Sequence, residues 1–277
     1  MNEVLPLILG AVERTEDKRD INLGAVQAPV TRPETHFSDV SNLPTYYQSH
    51  QPACGAHAGT WFKVRKDSRD TAAPANYTPK FTWNDIKTFD GYALEVGTDM
   101  RSIFKSLKNT GACDYPLLPN TVEQSVEAYG RTPLTAEMRQ NASTKKIASY
   151  AFLTDLSFDA VCDAVYQNKE VILLIKCDSG FFRNTTPTFS QPLSGHFVVA
   201  YDRYDKDYIW VKDSTESDPQ FSVKKIHRRY FQPQFIREGG TAINLPPLVV
   251  NIATNRNALI RELIRLYTLL LPFAPKK

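Results

Sequence analysis

The chain has 277 residues, of which 42% are hydrophobic and 23% are charged, and its formal net charge is +3 at pH 7. This balance is ordinary for a globular protein with one large domain or two lobes, so disorder is not the default expectation. Basic and acidic residues are interspersed, which gives no indication of a nucleic-acid partner. No window approaches the ~18 uninterrupted apolar residues that a membrane-spanning helix needs.

The first 32 residues contain prolines and charges without a sustained period. Residues 4–12 are mostly apolar, but an acid precedes them and no basic segment does, which is untypical of a signal peptide. We therefore predict that residues 1–32 form an extended N-terminal arm, laid across the surface of the fold.

The four cysteines, Cys54, Cys113, Cys162 and Cys177, show no CxxC spacing and are too few for a disulfide framework. A reduced, cytoplasmic protein is the expectation. The histidines form no cluster with metal-ligand spacing, so the sequence predicts neither a metal nor another cofactor.

A polar loop runs into an apolar-periodic segment at Cys54. Trp61, Phe62 and Arg65 follow it at helical spacing, so the sulfur should lie at or near a helix N-terminus. The partial positive charge at such a position lowers the pKa of a thiol and favours the nucleophilic thiolate.

Four helices and a long loop are predicted next. The apolar residues Met100, Ile103, Phe104 and Leu107 follow one helical face, with Thr98 as the predicted cap of their helix. The predicted helices span residues 81–89, 98–109, 121–130 and 134–143, and the predicted loop runs from residue 66 to about residue 80.

The character of the chain changes near residue 146. One more helix is predicted at residues 157–168, while alternating or continuous apolar runs indicate strands. The predicted strands are residues 147–153, 171–177, 196–201, 208–212 and 248–253. Helices come first, within residues 33–145, and strands follow, within residues 146–253, which indicates an α+β fold.

The C-terminal segment, residues 254–277, is predicted to be an amphipathic helix and a basic tail. Residues 255–271 carry a wide apolar stripe opposite several charges. Such a stripe must be covered. Its own domain, self-association, a membrane surface or another protein are the open alternatives.

Three segments, residues 48–62, 195–201 and 208–214, together resemble the papain-like cysteine peptidases, in particular compact bacterial or phage members. The resemblance implies a two-lobed fold, with a helical left lobe, an antiparallel β-barrel-like right lobe and a cleft between them. It also implies a catalytic set of Cys54 as nucleophile, His196 as base, Asp213 as the residue that orients His196, and Gln48 in the oxyanion hole. The implied activity is hydrolysis of peptide bonds in a polypeptide substrate.

The resemblance also implies substrate-binding positions. The turn ending at Gly97 and Thr98 falls where relatives hydrogen-bond the substrate backbone, and Gly195 precedes the histidine. A purely conformational role for Gly97 is the alternative. The sequence departs from the family where Asp213 replaces an asparagine and Thr215 replaces a tryptophan. Without that tryptophan, we expect the bond between Asp213 and His196 to be more accessible to water.

Two other functions stay open at this point. In a second register His57 occupies the nucleophile position and Gln51 the oxyanion position, which would leave a binding module without activity. We favour Cys54 because divergent relatives read Cys-x-x-(Phe/His/Asn)-Ala, as this chain does. The same thiol and imidazole could also cleave cell-wall peptides or transfer an acyl group.

Overall fold

The computed structural model describes residues 10–28, 30–38, 43–182 and 184–243. Contacts along the chain separate a compact unit, residues 1–242, from residues 243–277. The predicted strand 248–253 and the predicted helix 255–271 lie outside the described residues. None of the helices in the described ranges is long and apolar enough to cross a bilayer.

The described residues form an α+β fold of two lobes. Its α-helices are α1 (Leu23–Val26), α2 (Cys54–Thr71), α3 (Pro79–Ile86), α4 (Met100–Asn109), α5 (Val126–Gly130), α6 (Ala136–Ser143) and α7 (Phe158–Asn168). Its strands are β1 (Ala11–Val12), β2 (Thr98–Asp99), β3 (Ser149–Phe152), β4 (Glu170–Cys177), β5 (Ser194–Tyr204), β6 (Tyr208–Lys212), β7 (Val223–His227) and β8 (Ile236–Ile243). The predicted fold class is confirmed. The predicted lobe boundaries stay a prediction.

Helix α2 is the central helix of the molecule. All of its residues from Cys54 to Arg65 are buried, and it ends where Ala72 takes a left-handed conformation. The predicted loop from residue 66 was wrong in its first six residues, because α2 continues to Thr71. An ion pair one turn apart, Lys66 with Asp70 at 2.8 Å, supports this last stretch.

Helix α4 begins two residues later than predicted. Its cap is Asp99, whose carboxylate accepts the backbone N–H of Ser102 at 3.0 Å, rather than Thr98. Thr98 instead pairs with the N-terminal arm as part of β2. Competition from this strand pairing explains the shift, since it holds Thr98 in an extended conformation.

Six strands form one sheet in the order β3-β8-β4-β5-β6-β7. Strand β5 lies in the interior of this sheet, paired antiparallel with β4 and with β6. This pairing brings the start of β5, which carries His196, beside the end of β6, which is followed by Asp213. Strands β7 and β8 were not predicted.

The N-terminal arm is tied to the body by short strand pairing and by ion pairs. Strand β1 runs parallel to β2, with Ala11 opposite Thr98. Arg14 pairs with Glu238 of β8 at 3.3 Å and with Asp20 at 2.7 Å. The arm therefore contains regular elements, β1 and α1, that the sequence did not predict.

Candidate active site

Cys54 is the first residue of α2 and is fully buried. The N-terminus of an 18-residue helix faces it, so the site carries the partial positive charge of that helix. Such a field stabilises negative charge that develops beside the helix N-terminus.

His196 and Asp213 form a buried hydrogen-bonded pair. The His196 Nε2 lies 2.7 Å from Oδ1 of Asp213, and both side chains are fully shielded from solvent. The other ring nitrogen, Nδ1, has no nitrogen or oxygen partner among the described residues. Because Nε2 is taken by Asp213, Nδ1 is the nitrogen left to interact with the Cys54 thiol.

The environment favours a charged imidazole. Burial alone would lower the pKa of His196, but the hydrogen bonds to Asp213 and to Cys54 outweigh it and raise the pKa to about 9. Burial would likewise raise the pKa of Asp213, yet its bond to His196 and nearby positive charge hold that pKa below the usual value. A protonated imidazole between the Asp213 carboxylate and the Cys54 side chain is therefore the expected state at neutral pH.

The pair is drier than the sequence led us to expect. Thr215, which stands where relatives have tryptophan, donates both its backbone N–H, at 3.2 Å, and its hydroxyl to Asp213. The ring of Phe181 packs edge-on against His196, with 5.7 Å between ring centres. Our expectation of a more accessible bond was wrong, because Thr215 and Phe181 together replace the covering side chain.

Gln48 is fully buried and held beside the pair. Its Oε1 accepts the hydroxyl of Ser214 at 2.7 Å, and its backbone N–H donates to the Ser214 carbonyl at 2.8 Å. The side-chain Nε2 donates to the Gln51 carbonyl at 2.9 Å. An amide carries two N–H donors, and contacts among the described residues engage one of them.

The residues of the alternative register are engaged elsewhere. The amide nitrogen of Gln51 donates to the carbonyls of Val122, at 2.9 Å, and Gln124, at 2.7 Å. His57 Nδ1 lies 3.0 Å from the Ala53 carbonyl, and burial lowers the pKa of its ring to about 4. A neutral imidazole held in this way is a packing group, which favours the register with Cys54.

The predicted substrate-binding residues meet around the N-terminal arm. The Thr98 N–H donates to the Gly10 carbonyl at 2.9 Å. A Cβ added at Gly97, which has φ +94°, would lie 1.6 Å from that same oxygen, and one at Gly195 would lie 2.6 Å from the Ala11 carbonyl oxygen. The arm thus contacts all three positions through its backbone.

Gly55, the second residue of α2, lies between Thr98 of β2 and Phe197 of β5. A Cβ there would lie 2.7 Å from Thr98 and 3.2 Å from Phe197, the neighbour of His196. A side chain at this position would require these neighbours to move, so glycine lets the start of α2 lie close to both β2 and β5. The sequence showed this residue only as part of a motif.

Several residues of the site were missed by the sequence reasoning. Ser214 and Lys224 contact Gln48 and Asp213 respectively, and Gly10 and Ala11 lie on the predicted substrate positions. Only Ser214 could have been suspected, from its place next to Asp213. Among the described residues, no group of three or more His, Cys, Asp or Glu side chains is arranged to hold a metal ion.

Comparison with known proteins shows similarity at the level of structure. No family model and no curated protein sequence matches the chain. Xylellain, a cysteine protease from Xylella fastidiosa, is 15% identical, with a TM-score of 0.72 over 86% of this chain and 96% of that one. Digestive procathepsin L 3 of Tenebrio molitor larval midgut is 13% identical, with a TM-score of 0.64 over 86% and 77%.

Bromelain from Ananas comosus, solved with the E64 inhibitor, is 15% identical with a TM-score of 0.56, covering 72% of this chain and 92% of that one. Identities this low establish architecture and leave catalytic residues to be argued from geometry. The chain therefore has the two-lobed papain-like fold of the cysteine proteases.

Proposed function

We propose that this chain is a cysteine peptidase that hydrolyses peptide bonds in polypeptide substrates with Cys54, His196, Asp213 and Gln48. The observation that carries the proposal is the buried imidazole of His196, bonded to Asp213 at 2.7 Å and interacting with a thiol at a helix N-terminus. A nucleophile, a base and a residue that orients the base, in this order of contact, are the parts needed for acyl transfer.

In the first half of the reaction the Cys54 thiolate attacks the peptide carbonyl carbon. The carbonyl oxygen becomes an oxyanion, which the backbone N–H of Cys54 and the remaining donor of Gln48 stabilise. The imidazolium of His196 gives its proton to the leaving nitrogen, the C–N bond breaks, and an amine departs from a thioester on Cys54.

In the second half His196, now neutral, takes a proton from water as that water attacks the thioester carbonyl. The C–S bond breaks, the carboxylic acid leaves, and the thiolate–imidazolium pair forms again. Asp213 keeps its bond to Nε2 throughout, so the ring presents Nδ1 to the reacting groups in both halves.

The test compares iodoacetamide labelling of each cysteine, located by mass spectrometry, in the wild type and in His196→Ala. Burial raises the pKa of Cys113 to about 11 and of Cys162 to about 12, and it also raises that of Cys177. These three thiols are internal controls. We expect Cys54 to label fastest near neutral pH, and its rate to fall about 100-fold or more in the variant.

Peptide hydrolysis is measured in parallel with a casein substrate, using Cys54→Ala as the inactive control. Equal, slow labelling of all four cysteines would contradict the assignment of Cys54 as the nucleophile and favour a binding module without activity. Selective labelling without casein hydrolysis would support Cys54 as a nucleophile but indicate a different substrate. The next assays would then use purified peptidoglycan and an amine acceptor.

A further inference from the structure

Lys224 is a fully buried lysine whose ammonium lies against the site. Its Nζ is 3.6 Å from Oδ2 of Asp213, 3.3 Å from the Asn184 carbonyl and 4.0 Å from a carboxylate oxygen of Glu216. It also lies 5.2 Å from the ring centre of Phe181, which packs on His196. Lysine is almost never fully buried unless it is paired.

The two carboxylate oxygens of Asp213 therefore have different partners. Oδ1 accepts from His196, while Oδ2 faces Lys224 and accepts the Thr215 hydroxyl. A buried carboxylate with no counter-charge stabilises a neighbouring imidazolium strongly, and it is itself costly to desolvate. An imidazolium that is stabilised too far gives up its proton to a leaving amine less readily.

We propose that Lys224 is a positioning residue of the active site, whose ammonium neutralises and fixes Asp213 so that His196 is offered an oriented acceptor with little net negative charge. The inference rests on the proposed function for its catalytic meaning. It accounts for a carboxylate at a position where the resemblance implies a neutral amide. Asp213 and Lys224 together replace that amide.

Other titratable groups near His196 and Asp213 must be considered in any pH experiment. From α2 comes Cys54, and from β4 comes Cys177, which stays a neutral thiol because burial raises its pKa. At the end of β6, burial lowers the pKa of Lys212 to about 8, and its ammonium donates to Thr45 and Ser222 rather than to Asp213. None of these groups is substituted in the variants below.

The experiment reads the pKa of His196 directly, by NMR titration of ¹³C-labelled histidine, in four proteins besides the wild type. Lys224→Met should raise the pKa by about one pH unit, because a repelling charge is lost while Asp213 remains. Asp213→Asn should lower it by a similar amount. The double variant should fall between the two single variants. Lys225→Met, on the same strand with its ammonium over the Tyr208 ring, should leave the titration unchanged.

Thermal unfolding of the same proteins tests whether Lys224 acts through Asp213. Each single variant removes one charge of the Asp213–Lys224 pair and leaves the other less well compensated, so the double variant should melt at a higher temperature than either. If Lys224→Met does not fold, the double variant must still melt above Asp213→Asn and show a higher His196 pKa. An unchanged His196 pKa in Lys224→Met, or a double variant less stable than Asp213→Asn, overturns the proposal.

These readouts need no substrate. A His196 pKa that shifts as expected in a protein whose Cys54 does not label selectively would contradict the peptidase function and leave the charge pairing intact. Selective labelling of Cys54 together with a His196 pKa that is the same in Lys224→Met would support the peptidase function and contradict the charge pairing.

Discussion

At His196, burial and hydrogen bonding act on the same proton in opposite directions. Burial disfavours the charged ring, while Asp213 and Cys54 favour it, and the result is a pKa raised to about 9. The protonated ring is therefore present below about pH 9 and is lost as the pH rises through that value. In the proposed reaction this is the proton that the leaving amine receives.

The first prediction concerns how peptidase activity decreases at alkaline pH, which we call the alkaline limb of the pH profile. We expect kcat/KM for a peptide substrate to fall above about pH 9, because His196 loses its proton there. In Asp213→Asn, activity should be retained but the limb should move to lower pH, since the attraction of the carboxylate is lost while burial remains. A wild-type limb at or below the ordinary histidine pKa would contradict this account.

The second prediction concerns Gln48, whose buried amide is held by Ser214 and Gln51. Gln48→Ala should lower kcat about 100-fold, because one oxyanion donor is removed. Alkylation of Cys54 forms no oxyanion, so its rate should change little. Measuring both rates on one preparation separates loss of the donor from general damage to the site.

Gln51→Ala is the matched control, since the Gln51 amide donates to Val122 and Gln124. We expect a less stable protein with nearly unchanged kcat. If Gln51→Ala abolished turnover and Gln48→Ala did not, the register with Gln51 in the oxyanion hole would be the correct one.

At the scale of elements, α2 begins at the thiol and the arm lies against the predicted substrate positions. Strand β1 of the arm pairs with β2, which contains the predicted substrate position Thr98. A two-residue strand has few contacts of its own, so this pairing should be among the weakest in the fold.

The third prediction is that displacing the arm exposes Cys54. In Gly10→Val the new Cβ would lie 2.2 Å from the Pro52 carbonyl oxygen at φ +70°, which the arm cannot accommodate in place. We expect iodoacetamide to label Cys54 several-fold faster, and trypsin to cut more readily at Arg14 and Arg19.

Gly91→Val is the control, because Gly91 has a similar φ of +75° but nothing within 4 Å of an added Cβ. It should carry the same backbone strain without moving the arm. Faster cleavage of the arm in Gly10→Val with no change at Cys54 would show that the arm does not limit access.

At the scale of the whole molecule, a buried ionic cluster joins α2 to the sheet. Arg65 of α2 pairs with Asp202 of β5, and its Nε lies 3.3 Å from Glu170 of β4. Arg69, also on α2, is the second partner of Glu170. The helix that carries Cys54 is thus fixed to the strand that carries His196 by a buried ion pair.

The fourth prediction is that Arg65→Met destabilises the fold by about 3–5 kcal/mol, because Asp202 loses its buried partner and Glu170 loses one of two. Urea unfolding measures this value. Lys66→Met, one residue along the same helix in an exposed pair with Asp70, should change stability by less than about 1 kcal/mol. Equal effects in the two variants would contradict a structural role for the cluster.

The sequence by itself determined the class of fold and the candidates for catalysis. Periodic apolar residues predicted α4 and α7, and continuous apolar runs predicted β4 and β6. These signals lie in residues close together along the chain, so they can be recognised without the tertiary structure. Short motifs likewise predicted Cys54, His196 and Asp213 as a set. The boundaries at the start of α4 and the end of α2 were missed where caps and ion pairs compete with periodicity.

Only the tertiary structure decided how these pieces meet. The pairing of β1 with β2, the order of the six strands and the contact of Lys224 with Asp213 join residues far apart along the chain. Such contacts leave no local period, and a buried lysine looks in sequence like any surface lysine. Burial and counter-charge arise from packing, so the electrostatics of His196 could be described only from the tertiary structure.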